Sequence, residues 1–188
     1  MFNFNKLFGT AVEALEAKKS PRFNDYHTGR LLYEKYLKNH PDLFNMEPTL
    51  LARMEAKSSP ELAKVEELFK SAIEGADKIE DYADAATAYQ QLGQLYFYQG
   101  RLDESKTALQ KSLEIFTGLA ALNKTYKTTQ SDSHHFLGLT LIDMKDFAGA
   151  ERELNASAAI DKATGNQSNI MYSLQAQALL EKRRKSSK

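Results

Sequence analysis

An all-α fold of stacked antiparallel helix pairs is what this sequence predicts, and three observations predict it. The 188 residues include only nine Gly and four Pro, while the strong helix formers Ala, Leu, Glu, Lys and Gln are abundant. Apolar residues recur at helical spacing through most of the chain. A two-helix pattern also occurs twice at a spacing of about 45 residues, the signature of repeat architecture.

Composition narrows the function classes. Lys+Arg and Asp+Glu number 25 each, so there is no global field to draw nucleic acid or a membrane surface. The chain has no cysteine. That excludes disulfides, thiol catalysis and thiolate metal sites, and it fits a reducing compartment, so a cytoplasmic location is expected. No apolar run approaches the length of a membrane span. Met1 to Lys19 lacks the continuous apolar stretch of a secretory signal.

Residues 2–18 read as an amphipathic helix with Phe4, Phe8, Val12 and Leu15 on one face. Its polar face mixes charges (Lys6, Glu13, Glu16, Lys18), which favours packing on the array over a membrane surface. Ser20-Pro21 breaks it. The next helix is expected from about Asn24 to Asn39, with Tyr26, Leu32, Tyr33, Tyr36 and Leu37 as core, ending at Asn39-His40-Pro41-Asp42. Leu43, Phe44 and Met46 make the following connector apolar enough to be pinned to the core. Pro48 suits a helix first turn, and that helix carries Leu50, Leu51 and Met54 to about Lys57. Ser59 and Pro60 form a second start signal, N-cap and first position. Leu62, Val65, Leu68, Phe69, Ala72, Ile73 and Ala76 then make a continuous stripe.

The strongest stretch is 89–116. Tyr89, Leu92, Gly93 and Tyr96 share one stripe, Gly100 marks a turn, and Leu102, Ser105, Leu109, Ser112, Leu113 and Phe116 share another. Small residues (Gly93, Ser105, Ala108, Ser112) alternate with large ones, as two closely packed helices require. Leu137-Gly138 repeats Leu92-Gly93, and Ala150, Leu154 and Ser157 repeat Ser105, Leu109 and Ser112 at the same spacing. Lys145-Asp146 is the second turn. Gly165-Asn166 ends that unit. A last helix, about Ser168 to Lys185, offers Ile170, Met171, Leu174, Ala178 and Leu179 as its apolar face, as a capping helix should. The basic tail from Lys182 reads as a frayed, solvated helix end.

Tyr89, Leu92-Gly93, Tyr96, Ser105, Leu109 and Ser112 resemble the tetratricopeptide repeat, whose pattern is aromatic, Leu-Gly and Tyr on one helix, then small, large and small on the next. The unit at Leu137, Gly138, Ala150 and Leu154 departs from it twice, with His134 and Leu141 where Tyr89 and Tyr96 stand. The long spacing is similar to the extended-repeat branch of the family. The resemblance implies a right-handed superhelix in one domain. Its expected parts are divergent helices over 1–47, a weak repeat over 48–80 with Ala52-Arg53 in place of Leu-Gly, repeats over 81–122 and 123–165, and a capping helix over 166–185.

It also implies function: a non-catalytic module whose first helices line a concave groove for a peptide or helix of a partner protein. The implied groove positions are Gln90, Gln94, Phe97 and Tyr98, then His135, Leu139, Ile142 and Asp143, with Gln177 and Glu181 as candidates on the last helix. Gln90 and Gln94 stand where a clamp for acidic peptide tails would carry Lys and Asn, so that ligand class is disfavoured. Other readings are a self-assembling scaffold and a dedicated chaperone or regulatory subunit. No metal or cofactor is expected. Adjacent helical residues such as His134-His135 point about 100° apart and cannot share a metal, and no phosphate loop or nucleophile elbow is present.

Overall fold

The computed structural model describes residues 21–43, 45–79, 82–120 and 124–187. They form eight helices and no strand: α1 (Pro21–Asn39), α2 (Leu50–Ser58), α3 (Pro60–Ile79), α4 (Tyr82–Tyr98), α5 (Leu102–Ala120), α6 (Lys124–Asp143), α7 (Phe147–Thr164) and α8 (Gln167–Ser186). The amphipathic segment 2–18 and Phe44 lie outside the described residues. From α3 onward each helix packs on the next, and α6 also touches α4 on one side and α8 on the other, so that the three form an inner row. The result is an all-α helical-repeat solenoid, with α3, α5 and α7 behind that row.

Glycine sets the pairing within each unit. A Cβ on Gly93 would stand 2.4 Å from Leu109 Cγ, and one on Gly138 would stand 2.6 Å from Leu154. Leu109 and Leu154 are fully buried there. The same relation appears in α1, where a Cβ on Gly29 would meet Leu68 and Phe69 at 3.1 Å. α3 therefore packs along α1, which also touches α4, while α2 meets α3 at few points. The pairing of α3 with the segment from 48, and of Ala52-Arg53 with Leu-Gly, does not describe this packing. The glycine sits about 40 residues before Phe69 instead of 16, because α2 and its flanks are inserted between the paired helices.

Hydroxyls join one unit to the next. Ser105 donates to the Gly93 carbonyl (2.8 Å) and meets Thr140 at 2.9 Å; Ser112 donates to the Ala86 carbonyl (2.9 Å) and meets Ser133 at 3.0 Å. All four are fully buried, so each hydroxyl had to find a partner. The turns repeat as well. At the end of α4, Arg101 N–H donates to the Tyr96 carbonyl and Gly100 N–H to that of Phe97, with Gly100 at φ 70°. At the end of α6, Asp146 N–H and Lys145 N–H do the same to Leu141 and Ile142, with Lys145 at φ 64°. These are left-handed helix caps, the second made without glycine. Ser59 accepts from Leu62 N–H at 3.3 Å ahead of Pro60, as expected.

An ionic hub fastens α3 to the α4–α5 turn. Glu66 accepts from Tyr96 Oη (3.0 Å), Lys70 and Arg101, whose guanidinium lies 4.1 Å over the Tyr96 ring. Burial pushes the Glu66 carboxyl up, but these donors outweigh it and hold it at about 2.

Several expectations are corrected. Pro48 precedes the helix, and Thr49 is the N-cap, accepting from Ala52 N–H at 3.1 Å. Leu32 is exposed, because α1 turns its tyrosines inward instead. α8 buries Ser173, Ala176, Leu179 and Leu180, leaving Met171 and Leu174 exposed at 62% and 61%. Its small stripe, not its apolar one, matches α7. The basic tail is helical to Ser186 and paired: Lys182 and Arg183 bind Glu47, and Arg184 binds Glu151 and Glu181.

Gly93→Ala should destabilise the fold by about 1–3 kcal/mol in urea denaturation, overpacking outweighing the better helix propensity of Ala. In a Leu109→Ala background, where the clashing atoms are gone, the same change should cost clearly less. Equal costs in both backgrounds would refute the glycine–leucine contact as the reason.

Candidate functional site

The insertion that separates α1 from α3 does not hang free. It crosses the end of the inner row as a strap. Arg53 of α2 donates to the Phe97 carbonyl at 3.2 Å, pairs with Asp143 at the end of α6, and lies 5.0 Å from the Phe97 ring. Gln99 donates to the Ala56 carbonyl at 3.2 Å. Glu47 reaches α8 through Lys182 and Arg183. One connector thus touches the ends of α4, α6 and α8.

Under the strap lies a cleft of about 300 Å³ between the three inner helices. α4 supplies Gln90, Gln91, Gln94 and Tyr98; α6 supplies Asp132, His135, Phe136 and Leu139. Asn169 and Tyr172 of α8, Ser157 and Asp161 of α7, and Asn45 and Met46 of the strap complete it. These helices project toward one space because α6 packs on both α4 and α8, placing the three in one row.

The polar groups in the cleft form two sets. Asp161 is buried and accepts three hydroxyls: Ser131 of α6 (2.6 Å), Ser173 of α8 (3.2 Å) and Ser157 of its own helix (3.5 Å). It is a knot between three helices. Asp132 accepts from Asn169 Nδ2 at 2.8 Å through Oδ1. Burial pushes its carboxyl up to about 6, the Asn169 amide opposing and Asp161 adding. One turn along α6, His135 packs edge-on against Phe136, and no hydrogen bond reaches its ring among the described residues. Burial holds the imidazole down at about 4, against the opposite pull of Asp161. It is therefore neutral at pH 7, presenting one donor and one acceptor.

The implied groove residues divide. Gln90, Gln94, Tyr98, His135 and Leu139 line the cleft. Phe97 and Ile142 do not: Phe97 is 0% exposed, packed on Tyr98 and Phe136, and Ile142 is in the same core. Asp143 is taken by Arg53. Gln177 bonds Asn155 on the outer layer, and Glu181 pairs with Arg184. The repeat positions Leu92, Tyr96, Ser105, Leu109, Leu137, Ala150 and Leu154 are buried, with Tyr89 packed at the core edge. His134 turns away from His135 and bonds Glu153 at 2.7 Å.

Sequence reasoning missed Asp132, Asp161, Asn169, Tyr172, Asn45, Met46 and Arg53. A signal existed for Asp161. Leu154, Ser157 and Asp161 continue one stripe of α7, and the same spacing places Asp161 where Phe116 stands in the preceding unit. A charge on a core stripe marks a special position.

Among the described residues no group of three or more His, Asp or Glu is placed to hold a metal, and no helix is long and apolar enough to cross a membrane. Residues 61–118, from α3 through α5, match the family model of the tetratricopeptide repeat. No curated protein and no solved structure matches the chain.

Ionising Asp132 costs the folded state stability, because its folded carboxyl titrates above the ordinary range. The cost is nearly absent at pH 3.5 and complete above pH 6. Asp132→Asn, which keeps the acceptor for Asn169, should therefore stabilise by on the order of 2 kcal/mol at pH 8 and by little at pH 3.5. Thermal denaturation at the two pH values checks this; destabilisation at pH 8 would show a stabilising carboxylate instead.

Proposed function

We propose that this tetratricopeptide-repeat chain is a non-catalytic protein–protein interaction module, holding a peptide segment of a partner in the cleft of its inner helices. Repeats of this family are in general protein–protein interaction modules. The observation that carries the reading is convergence: α4, α6 and α8 line one concavity with side-chain amides, tyrosines and an unpaired imidazole. Amides can pair with an extended backbone, and tyrosines supply contact area at low entropic cost.

The strap shapes the occupant. A helix with its side chains is about 10–12 Å across, and a cleft of about 300 Å³ crossed by Asn45 and Met46 takes a short extended segment more readily. The mechanism is pre-organisation. Arg53, Glu47 and the Asp161 knot hold the walls, so little ordering remains to oppose binding. The absence of cysteine fits work in the cytoplasm.

Exposed apolar residues favour a second reading, self-association. Leu50, Leu51 and Met54 stand out from α2, and Met171 and Leu174 from α8. Light scattering across protein concentration tests it: a constant monomer mass rejects it, and a rising mass supports it.

For the cleft, a displayed library of random short peptides selected on the full chain is the direct test. Selected peptides should lose about tenfold or more in affinity on Gln94→Ala or Tyr172→Ala, a change on the order of 1.4 kcal/mol each. Met171→Ala, exposed and outside the cleft, should leave them unchanged. Peptides sensitive to Met171 and indifferent to Gln94 and Tyr172 would move the binding surface off the inner row.

A further inference from the structure

We propose that the cleft takes one basic side chain of the bound peptide, a lysine or arginine, whose cation meets the Asp132 carboxylate. This deepens the peptide reading and rests on it.

Charge is the first argument. The cleft lining contains two carboxylates, Asp132 and Asp161, and no Lys or Arg. Asp161 is occupied by three hydroxyls. Asp132 uses only Oδ1, for Asn169, and its Oδ2 has no partner among the described residues. A carboxylate partly withdrawn from water without a counter-ion carries a desolvation cost, and an incoming cation offsets it.

Unfilled hydrogen bonding is the second. His135 stands three residues after Asp132 on α6, so both side chains project from one face. Its ring is partly buried, neutral at pH 7, and hydrogen-bonded to nothing among the described residues. Its ring nitrogens are open to a partner entering the cleft. An ammonium or guanidinium N–H offers what the acceptor nitrogen lacks, and the amide of Gln94 lines the same cleft with an oxygen that can accept a further donor.

Shape is the third. Phe136, Leu139, Tyr98, Tyr172 and Met46 give the cleft apolar walls. A lysine or arginine brings an aliphatic stem for those walls and a cation for the acid end, and the aromatic faces attract the cation besides. About 300 Å³ suits one long side chain.

Comparison between the units makes the acidity specific. At the repeat spacing, Asp132 replaces Thr87 and Asp161 replaces Phe116. Phe116 is buried core in its unit, so the scaffold does not require an acid at either place.

The test uses Nα-acetyl-lysine N-methylamide, the arginine analogue and the norleucine analogue, each titrated into the full chain and followed by backbone amide NMR. The lysine and arginine analogues should shift Asp132, His135, Asn169 and Tyr172, and norleucine, matched in stem without charge, should not. Asp132→Asn should weaken the lysine analogue at least tenfold while the protein stays folded. Equal shifts from norleucine, or no shift from any analogue, overturn the proposal. The peptide selection separates the two claims. Selected peptides that depend on Gln94 and Tyr172 but carry no basic residue overturn the cation site and leave the peptide reading intact. Binding of the lysine analogue with no peptide selected overturns the peptide reading, and with it a side chain as the source of the amine.

Discussion

A glycine on α1, α4 and α6 lets a leucine or phenylalanine of the paired helix rest against bare backbone. Leu109 against Gly93 and Leu154 against Gly138 are too close to admit even a methyl group, and Phe69 with Leu68 against Gly29 is nearly so. That approach sets the spacing within each pair. Spacing within pairs then sets where the next inner helix can sit, and so the concavity. Glycine in a helix interior costs about 1 kcal/mol relative to alanine; here the cost is offset by the burial of a whole large side chain on the facing helix.

Between units the chain uses hydroxyls, which act by direction more than by bulk. Ser105 with Thr140, and Ser112 with Ser133, fix how α6 rotates against α5, since a buried hydroxyl tolerates few orientations. Toward the C-terminal end the seam changes character. Ser131, Ser157 and Ser173 gather around Asp161 in place of an aromatic core. Polar walls there are the condition for a polar cleft. The Glu66 hub, by contrast, belongs to the opposite end and serves only to hold α3 to the α4–α5 turn.

Much of the architecture was legible because it rests on local pattern. Leu92-Gly93 and Leu137-Gly138 declare themselves, as do the turn glycine at 100 and the Ser59-Pro60 start. What failed was long-range. Gly29 was hidden because α2 intervenes between it and Phe69, and no local pattern reports a partner across an insertion. The repeat resemblance places Phe97 and Ile142 in the groove, but both are buried in the core. Arg53 and the aromatic neighbours Tyr98 and Phe136 enclose Phe97, and only the three-dimensional path of the strap shows it. α8 misled for a different reason: its most hydrophobic stripe faces outward, and its buried stripe is chosen by Ser173 reaching Asp161.

A helical array is ordinarily open at both ends, and each unit feels only its neighbours. Here the ion pairs of Glu47 with Lys182 and Arg183 join points far apart in the chain, and Arg53 adds a clasp to Asp143. The spring becomes a buckled belt. Fraying of α8 must first release its pairs with Glu47, which ties the melting of that last helix to that of the strap. The same closure raises the sequence separation of native contacts, which slows the last step of folding relative to an unbuckled array. It also stiffens the curvature, since opening or tightening the superhelix would stretch charged pairs that a plain stack does not have.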